Sequence, residues 1–144
     1  MLKLDGVDFT TGRAKFSDTA PWSRESMPKI YVKFTPQDLG IILFAALDTG
    51  APWSMLDAEV AETLNLLNGD GQATTVTTWQ GNIRGRLERI NLRLHADEGN
   101  SLDFEATVLV SPNWRGNFLG YGGLLQHIRF GVDATHSFFY FGKE

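Results

Sequence analysis

Apolar residues recur at every second position through one short segment after another, and clusters of Gly, Pro, Asn and Asp separate the segments. An extended chain points successive side chains to opposite faces, so this period of two fits strands with one face buried. Ile30-Tyr31-Val32-Lys33-Phe34 alternates and stops at Thr35-Pro36-Gln37-Asp38. Leu102, Phe104, Ala106, Val108 and Val110 alternate with Asp103, Glu105 and Thr107, which are predicted to face water. Ile128, Phe130 and Val132 repeat the pattern before a turn over residues 133–137, and Phe138-Phe139-Tyr140-Phe141 forms a closing aromatic strand. The expectation is a mainly β protein.

Length and composition narrow the function classes. A chain of 144 residues fits one domain, residues 1–144, with residues 1–28 read as an amino-terminal extension. It has no cysteine, which excludes disulfides and thiolate metal sites. His95, His127 and His136 lack metal-site spacing and have no cysteine to join them, so they read as structural or exposed and no metal site is expected of them. A net charge of -4 argues against a nucleic-acid partner, which needs clustered cations. Arg84, Arg86, Arg89 and Arg93 are interrupted by Glu88 and read as the solvated face of a strand. The longest apolar run, residues 41–47, falls well short of the roughly 20 residues of a membrane span. Residues 1–10 show no basic stretch leading into an apolar one, and a cytoplasmic setting is the expectation.

Chemistry is legible at one place. Residues 39–47 are nearly continuous in apolar side chains, as expected of a strand covered on both faces, and they run straight into Asp48-Thr49-Gly50-Ala51. Pro52 and Ser54 announce a change, and residues 57–64 read as a short helix that is acidic in its first turn. Asn68-Gly69-Asp70-Gly71 breaks the chain. A long hairpin is predicted over residues 72–94, with Gln80-Gly81-Asn82 as its turn. Its return strand carries Ile83, Gly85 and Leu87 in one phase but Ile90, Leu92 and Leu94 in the other, which predicts a β-bulge near Glu88 or Arg89. Asp97-Glu98-Gly99-Asn100 reads as a turn. Phe118-Leu119-Gly120 then precedes a short helix over residues 122–127.

A strand into Asp48-Thr49-Gly50-Ala51, a glycine-bearing hairpin, then Phe118-Leu119-Gly120 with Leu124-Leu125 after it, resembles the retropepsin-like aspartic proteases from about residue 30 to residue 141. The resemblance implies a single-lobe closed β-barrel with a flap hairpin and one or two short helices. It also implies an aspartic endopeptidase working as a homodimer on a peptide or protein substrate, with no metal or organic cofactor. Asp48 would be the catalytic acid of each chain, and Thr49 would bond across the dimer axis. Gly50 would admit the close approach of backbone to carboxylate. Ala51, Trp79, Gln80 and Gly81 would meet substrate, the last three at the flap tip.

The chemistry is coherent by itself. Two carboxyls about 3 Å apart cannot both ionise, so one activates water while the other supplies a proton. One chain has one such acid, and a two-fold axis would bring its copy. The loop departs from the retroviral pattern at Pro52-Trp53-Ser54, where acids that hold substrate are usual, and at Tyr121-Gly122-Gly123, where a polar pair is usual. The terminal strands of retroviral enzymes build much of the dimer, a role the resemblance does not extend to residues 1–4 and 138–141. The alternatives are a protease-like dimerisation or peptide-binding module without turnover, and a small β-barrel binding protein in which Asp48 is a turn residue. Asp18-Thr19-Ala20-Pro21-Trp22-Ser23 nearly repeats the motif but lacks its glycine. Residues 12–17 do not read as a buried strand, so residues 10–27 are expected to be loop and Asp18 a turn residue.

Overall fold

A computed structural model describes residues 1–21, 28–37, 39–78 and 81–144. The chain runs through β1 (Lys3–Leu4), β2 (Val7–Asp8), β3 (Gly12–Lys15), β4 (Tyr31–Pro36), β5 (Leu43–Asp48) and β6 (Ser54–Met55) into helix α1 (Ala58–Thr63). It continues through β7 (Gln72–Thr78), β8 (Gly81–Leu94), β9 (Glu98–Gly99), β10 (Leu102–Val110) and β11 (Phe118–Gly120). A 3₁₀ turn (Leu125–His127), β12 (Ile128–Asp133) and β13 (Phe138–Lys143) complete it. The protein is mainly β, as its alternation predicts.

One sheet runs β10-β6-β11-β5-β4-β8, and β8 pairs back onto β10, so six strands close into a barrel. Closure matters because an open sheet leaves edges unpaired. β7 hangs from β8 as a hairpin arm outside the ring. Beside the barrel lies a second sheet, β12-β13-β3-β9. The main core fills the barrel with Phe34, Leu92, Leu94, Val108 and Leu119, and Phe139 and Phe141 of the second sheet join it. Phe34 has no exposed surface and pairs with Leu43 on one side and Leu94 on the other.

The helix is short and capped for its position. Asp57 Oδ1 accepts a hydrogen bond from Glu59 N at 2.9 Å, and Asp57 Oδ2 accepts one from Gly116 N at 2.7 Å. Asn65, at φ +56°, ends it. One acid thus starts the helix and ties it to the loop that leads into β11.

Four expectations are corrected. Residues 12–15 are a strand, β3, which pairs with β13 and buries Ala14 in the main core. Only two apolar residues, Ala14 and Phe16, mark that segment, too few for alternation to be read. The strand into Asp48 starts at Leu43, because Gly40 turns at φ +76° and leaves Ile41 and Ile42 more than half exposed, at 55% and 53%. Gly81 and Asn82 belong to β8, and Glu98 and Gly99 pair with β3 as β9, so neither pair is only a turn. No bulge interrupts β8, whose register to β10 is continuous from Leu94 to Arg86. The change of phase has another cause. Ile90, Leu92 and Leu94 face the main core, while Ile83 and Leu87 project from the opposite face onto a second cluster of Met55, Val76, Leu109, Trp53 and Trp114.

The four arginines of β8 are exposed but do not share one face: Arg84 and Arg86 project from one side, and Arg89 and Arg93 from the other, where Arg93 pairs with Asp103 at 2.7 Å and Arg89 pairs with Glu105. Among the described residues no helix is long and apolar enough to cross a membrane. His95 is half-buried beside Thr35. The single Thr35 hydroxyl proton is donated to Ile41 O at 2.7 Å, so His95 Nε2 carries a hydrogen and donates it to Thr35 Oγ1, also at 2.7 Å. Burial, reinforced by the charges of Arg93 and Lys33, holds the His95 pKa below its ordinary 6.5.

Two outcomes follow from this packing. Phe34→Ala is expected to lower unfolding free energy by about 3–5 kcal/mol in urea titrations, and a loss under about 1 kcal/mol would contradict the central placing of Phe34. A depressed histidine pKa means that the unfolded chain binds the extra proton first. Stability from His95 is therefore complete above about pH 6.5 and is lost as pH falls from there toward the folded-state pKa. His95→Gln is expected to flatten that part of the stability profile, measured as urea midpoints between pH 7 and pH 5.

Candidate active-site face

β5 ends at Asp48 and lies parallel to β11, with Phe118 beside Ala46, Leu119 beside Leu47 and Gly120 beside Asp48. The two motifs singled out in the sequence, 70 residues apart, are therefore adjacent strands. Leu119 is buried in the core beneath them, and Asp48 stands exposed at the strand end.

The turn after β5 is held by its own acid. Asp48 Oδ1 accepts from Gly50 N at 3.0 Å, and Ala51 N donates to Asp48 O at 3.2 Å. This bends the chain back within a few residues and leaves Thr49 exposed beside the carboxylate. The loop then passes under the segment after β11. Tyr121 N donates to Ala51 O at 3.0 Å, and Gly120 N donates to the buried Ser54 Oγ at 2.8 Å. A side chain at Gly120 would strike Trp53 O, and one at Gly122 would strike Pro52 O. Absent side chains at these two glycines let one loop lie directly on the other.

That contact answers the departures seen in the sequence. With no polar pair after Gly120, the loop after Asp48 is braced by Ser54 and by backbone packing at Gly120 and Gly122. Sequence reasoning did not assign Ser54, Gly122 or Gly123 a role. The signal was present as an unusually dense glycine run, Gly120-Tyr121-Gly122-Gly123, but its partner at residues 52–54 is far away in the chain.

The hairpin reaches this region through its apolar face. Val76 of β7 and Ile83 and Leu87 of β8 pack in one cluster with Trp53 of the loop after Asp48 and Trp114. Thr78 faces Gly81 across the ladder, and Gly81 starts β8 at φ +113°. Trp79 and Gln80, two of the flap-tip candidates, lie outside the described residues.

Asp48 lines neither of two cavities found among the described residues. One of about 790 Å³ is bounded by Thr35, Ile41, Ile42, Arg93, His95 and Phe104, among others, at the end of β5 remote from Asp48. The other, about 520 Å³, lies between Phe44, Val60 and Arg115. Among the described residues Asp48 is exposed and lies outside both cavities. Asp18 does not join it through any described hydrogen bond; its carbonyl accepts from Lys29 N at 2.9 Å. His136 pairs with Asp133, His95 with Thr35, and among the described residues no group of three or more His, Asp and Glu is placed to hold a metal ion. Of the terminal strands, β13 is paired on both sides, by β12 and β3, and β1 pairs with β2 alone. Compared with known proteins, the chain matches no family model and no curated protein.

Ser54→Ala would leave the buried Gly120 N–H without its acceptor. The expected cost is about 1–3 kcal/mol of stability, accompanied by faster hydrogen exchange at the Gly120 amide. An unchanged exchange rate there would show that Ser54 does not brace the loop.

Proposed function

We propose that the protein is a homodimeric aspartic endopeptidase of retropepsin type, in which Asp48 of each chain shares one catalytic water across a two-fold axis. The observation that carries this reading is the parallel pairing of β5 with β11, which sets Gly120 beside Asp48. A carboxylate at the end of a buried strand, on a turn braced from below, is held rigidly enough to meet its copy. Its exposure in the single chain supports the same reading, since a half-site must present its acid at the surface that the partner covers.

In this reading each residue has one task. One Asp48 carboxylate takes a proton from water as it attacks the scissile carbonyl, and the protonated Asp48 of the partner subunit gives its proton to the departing amine. Thr49 links the two turns, and Gly50 holds Asp48 Oδ1 in orientation. Substrate lies extended between the active-site loop and the hairpin and gains backbone hydrogen bonds as an added strand. The hairpin arm, with Trp79, Gln80 and Gly81 at its tip, closes over it and excludes water. A dimeric peptide-binding module without turnover is the second reading. It is favoured by Pro52 and Trp53, which supply no acid to hold the substrate backbone.

Asp48→Asn is expected to lower peptide cleavage by a factor of about 10²–10⁴ or more without loss of the folded dimer. Adding an excess of this variant to the parent should also suppress activity, because mixed dimers carry one acid. Digestion of a proteome-derived peptide library, with sedimentation to fix the dimer, checks both. Equal cleavage by the Asn variant would exclude the mechanism, and full activity of a monomer would exclude the shared site. Intact peptides bound by the parent dimer would favour the second reading.

A further inference from the structure

Lys29 lies at the catalytic end of the sheet. β4 and β5 run antiparallel with Tyr31 beside Ala46, and Leu47 N donates to Ile30 O at 2.8 Å, which extends the ladder one residue beyond β4. One further step brings Lys29 alongside Asp48. Side chains alternate along strands, so Lys29, Tyr31, Ala46 and Asp48 project from one face. Phe118 joins that face through its register with Ala46. The packing agrees, since Tyr31 and Ala46 are buried in one cluster with Ala20 and are flanked by Phe44 and Phe118.

The Lys29 ammonium sits 5.3 Å from the centroid of the Phe118 ring, and Trp114 meets the same ring edge-on at 5.5 Å. Its backbone is anchored, with Lys29 N donating to Asp18 O at 2.9 Å. Among the described residues no carboxylate pairs with it, in contrast to Lys3, Lys33, Arg13, Arg89 and Arg93, each of which has an acid. An ammonium held over an aromatic ring keeps donors free for a second, anionic partner. The face that carries Asp48 thus presents a half-buried aromatic ring with an exposed cation held over it.

We propose that Lys29 selects substrate peptides by charge, favouring those with an apolar side chain over Phe118 and an Asp or Glu two positions away. The spacing follows from the extended peptide, whose side chains return to the same face every second residue. This inference rests on the peptide-binding reading of the Asp48 face, though not on turnover there.

Two measurements separate this inference from the proposed hydrolysis. In the first, the parent, Lys29→Met and Lys29→Glu digest a peptide library. In the second, the same charge variants, each carrying Asp48→Asn, bind fluorescent peptides that are matched except for Glu, Gln or Lys two positions from a Phe. The parent side chain is expected to favour Glu over Gln by about two- to fivefold. Lys29→Met should remove that preference, Lys29→Glu should turn it toward Lys, and added salt should shrink both effects. Charge discrimination that reverses in Lys29→Glu, with no cleavage by the parent, would sustain Lys29 and overturn hydrolysis. Cleavage lost in Asp48→Asn, with a peptide preference identical in all three Lys29 forms, would sustain hydrolysis and overturn Lys29. A parent that neither binds nor cleaves according to charge also overturns it.

Discussion

The parallel contact between β5 and β11 organises the rest of the molecule. Parallel neighbours cannot be joined by a tight turn, so residues 49–117 form a long connection, through β6, β7, β8 and β10 of the same sheet, before Phe118 can lie beside Ala46. The hairpin, β10 and helix α1 are all built within that connection. Its return is aimed by polar contacts as much as by burial. Asn117 receives Asp57 N at its side-chain oxygen and donates to Phe44 O, while Asp57 caps the helix and takes Gly116 N. Leu119, buried beneath Asp48, then fixes the strand against the core.

Closure of the barrel gives the hairpin its position. β8 is long enough to serve two clusters, with its last turns of alternation filling the barrel and its first ones facing Trp53 and Met55. A strand with one apolar face could do only one of these. The change of phase at Glu88 therefore reflects a change of the covering layer, while the ladder itself runs on unbroken. Glu88 occupies the crossover and accepts Gly71 N, which pins the base of the hairpin. The arm is thereby rooted beside the loop after Asp48 through side-chain packing.

Much of this was legible in the chain. Alternation located β4, β10 and β12, the run of four aromatics located β13, and the apolar run into Asp48 located β5, because local pattern reports burial. Asp57 before an acidic turn announced the helix. β3 was not legible, since its hydrogen bonds depend on β13, more than a hundred residues later, and its four residues carry too short a pattern. Ile41 and Ile42 misled for the opposite reason: hydrophobicity marks what can be buried, and the turn at Gly40 leaves both facing solvent.

The sequence by itself determined the mainly β class, most strand positions, and the acid with its hydroxyl and glycine neighbours, because these are properties of residues close together in the chain. Tertiary structure decided the pairing of Gly120 with Asp48, the brace from Ser54 and the close approach at Gly122, and the placing of Lys29 and Phe118 on one face with the acid. These depend on register between strands remote in sequence. A register is set by the fit of whole faces, which no local window contains.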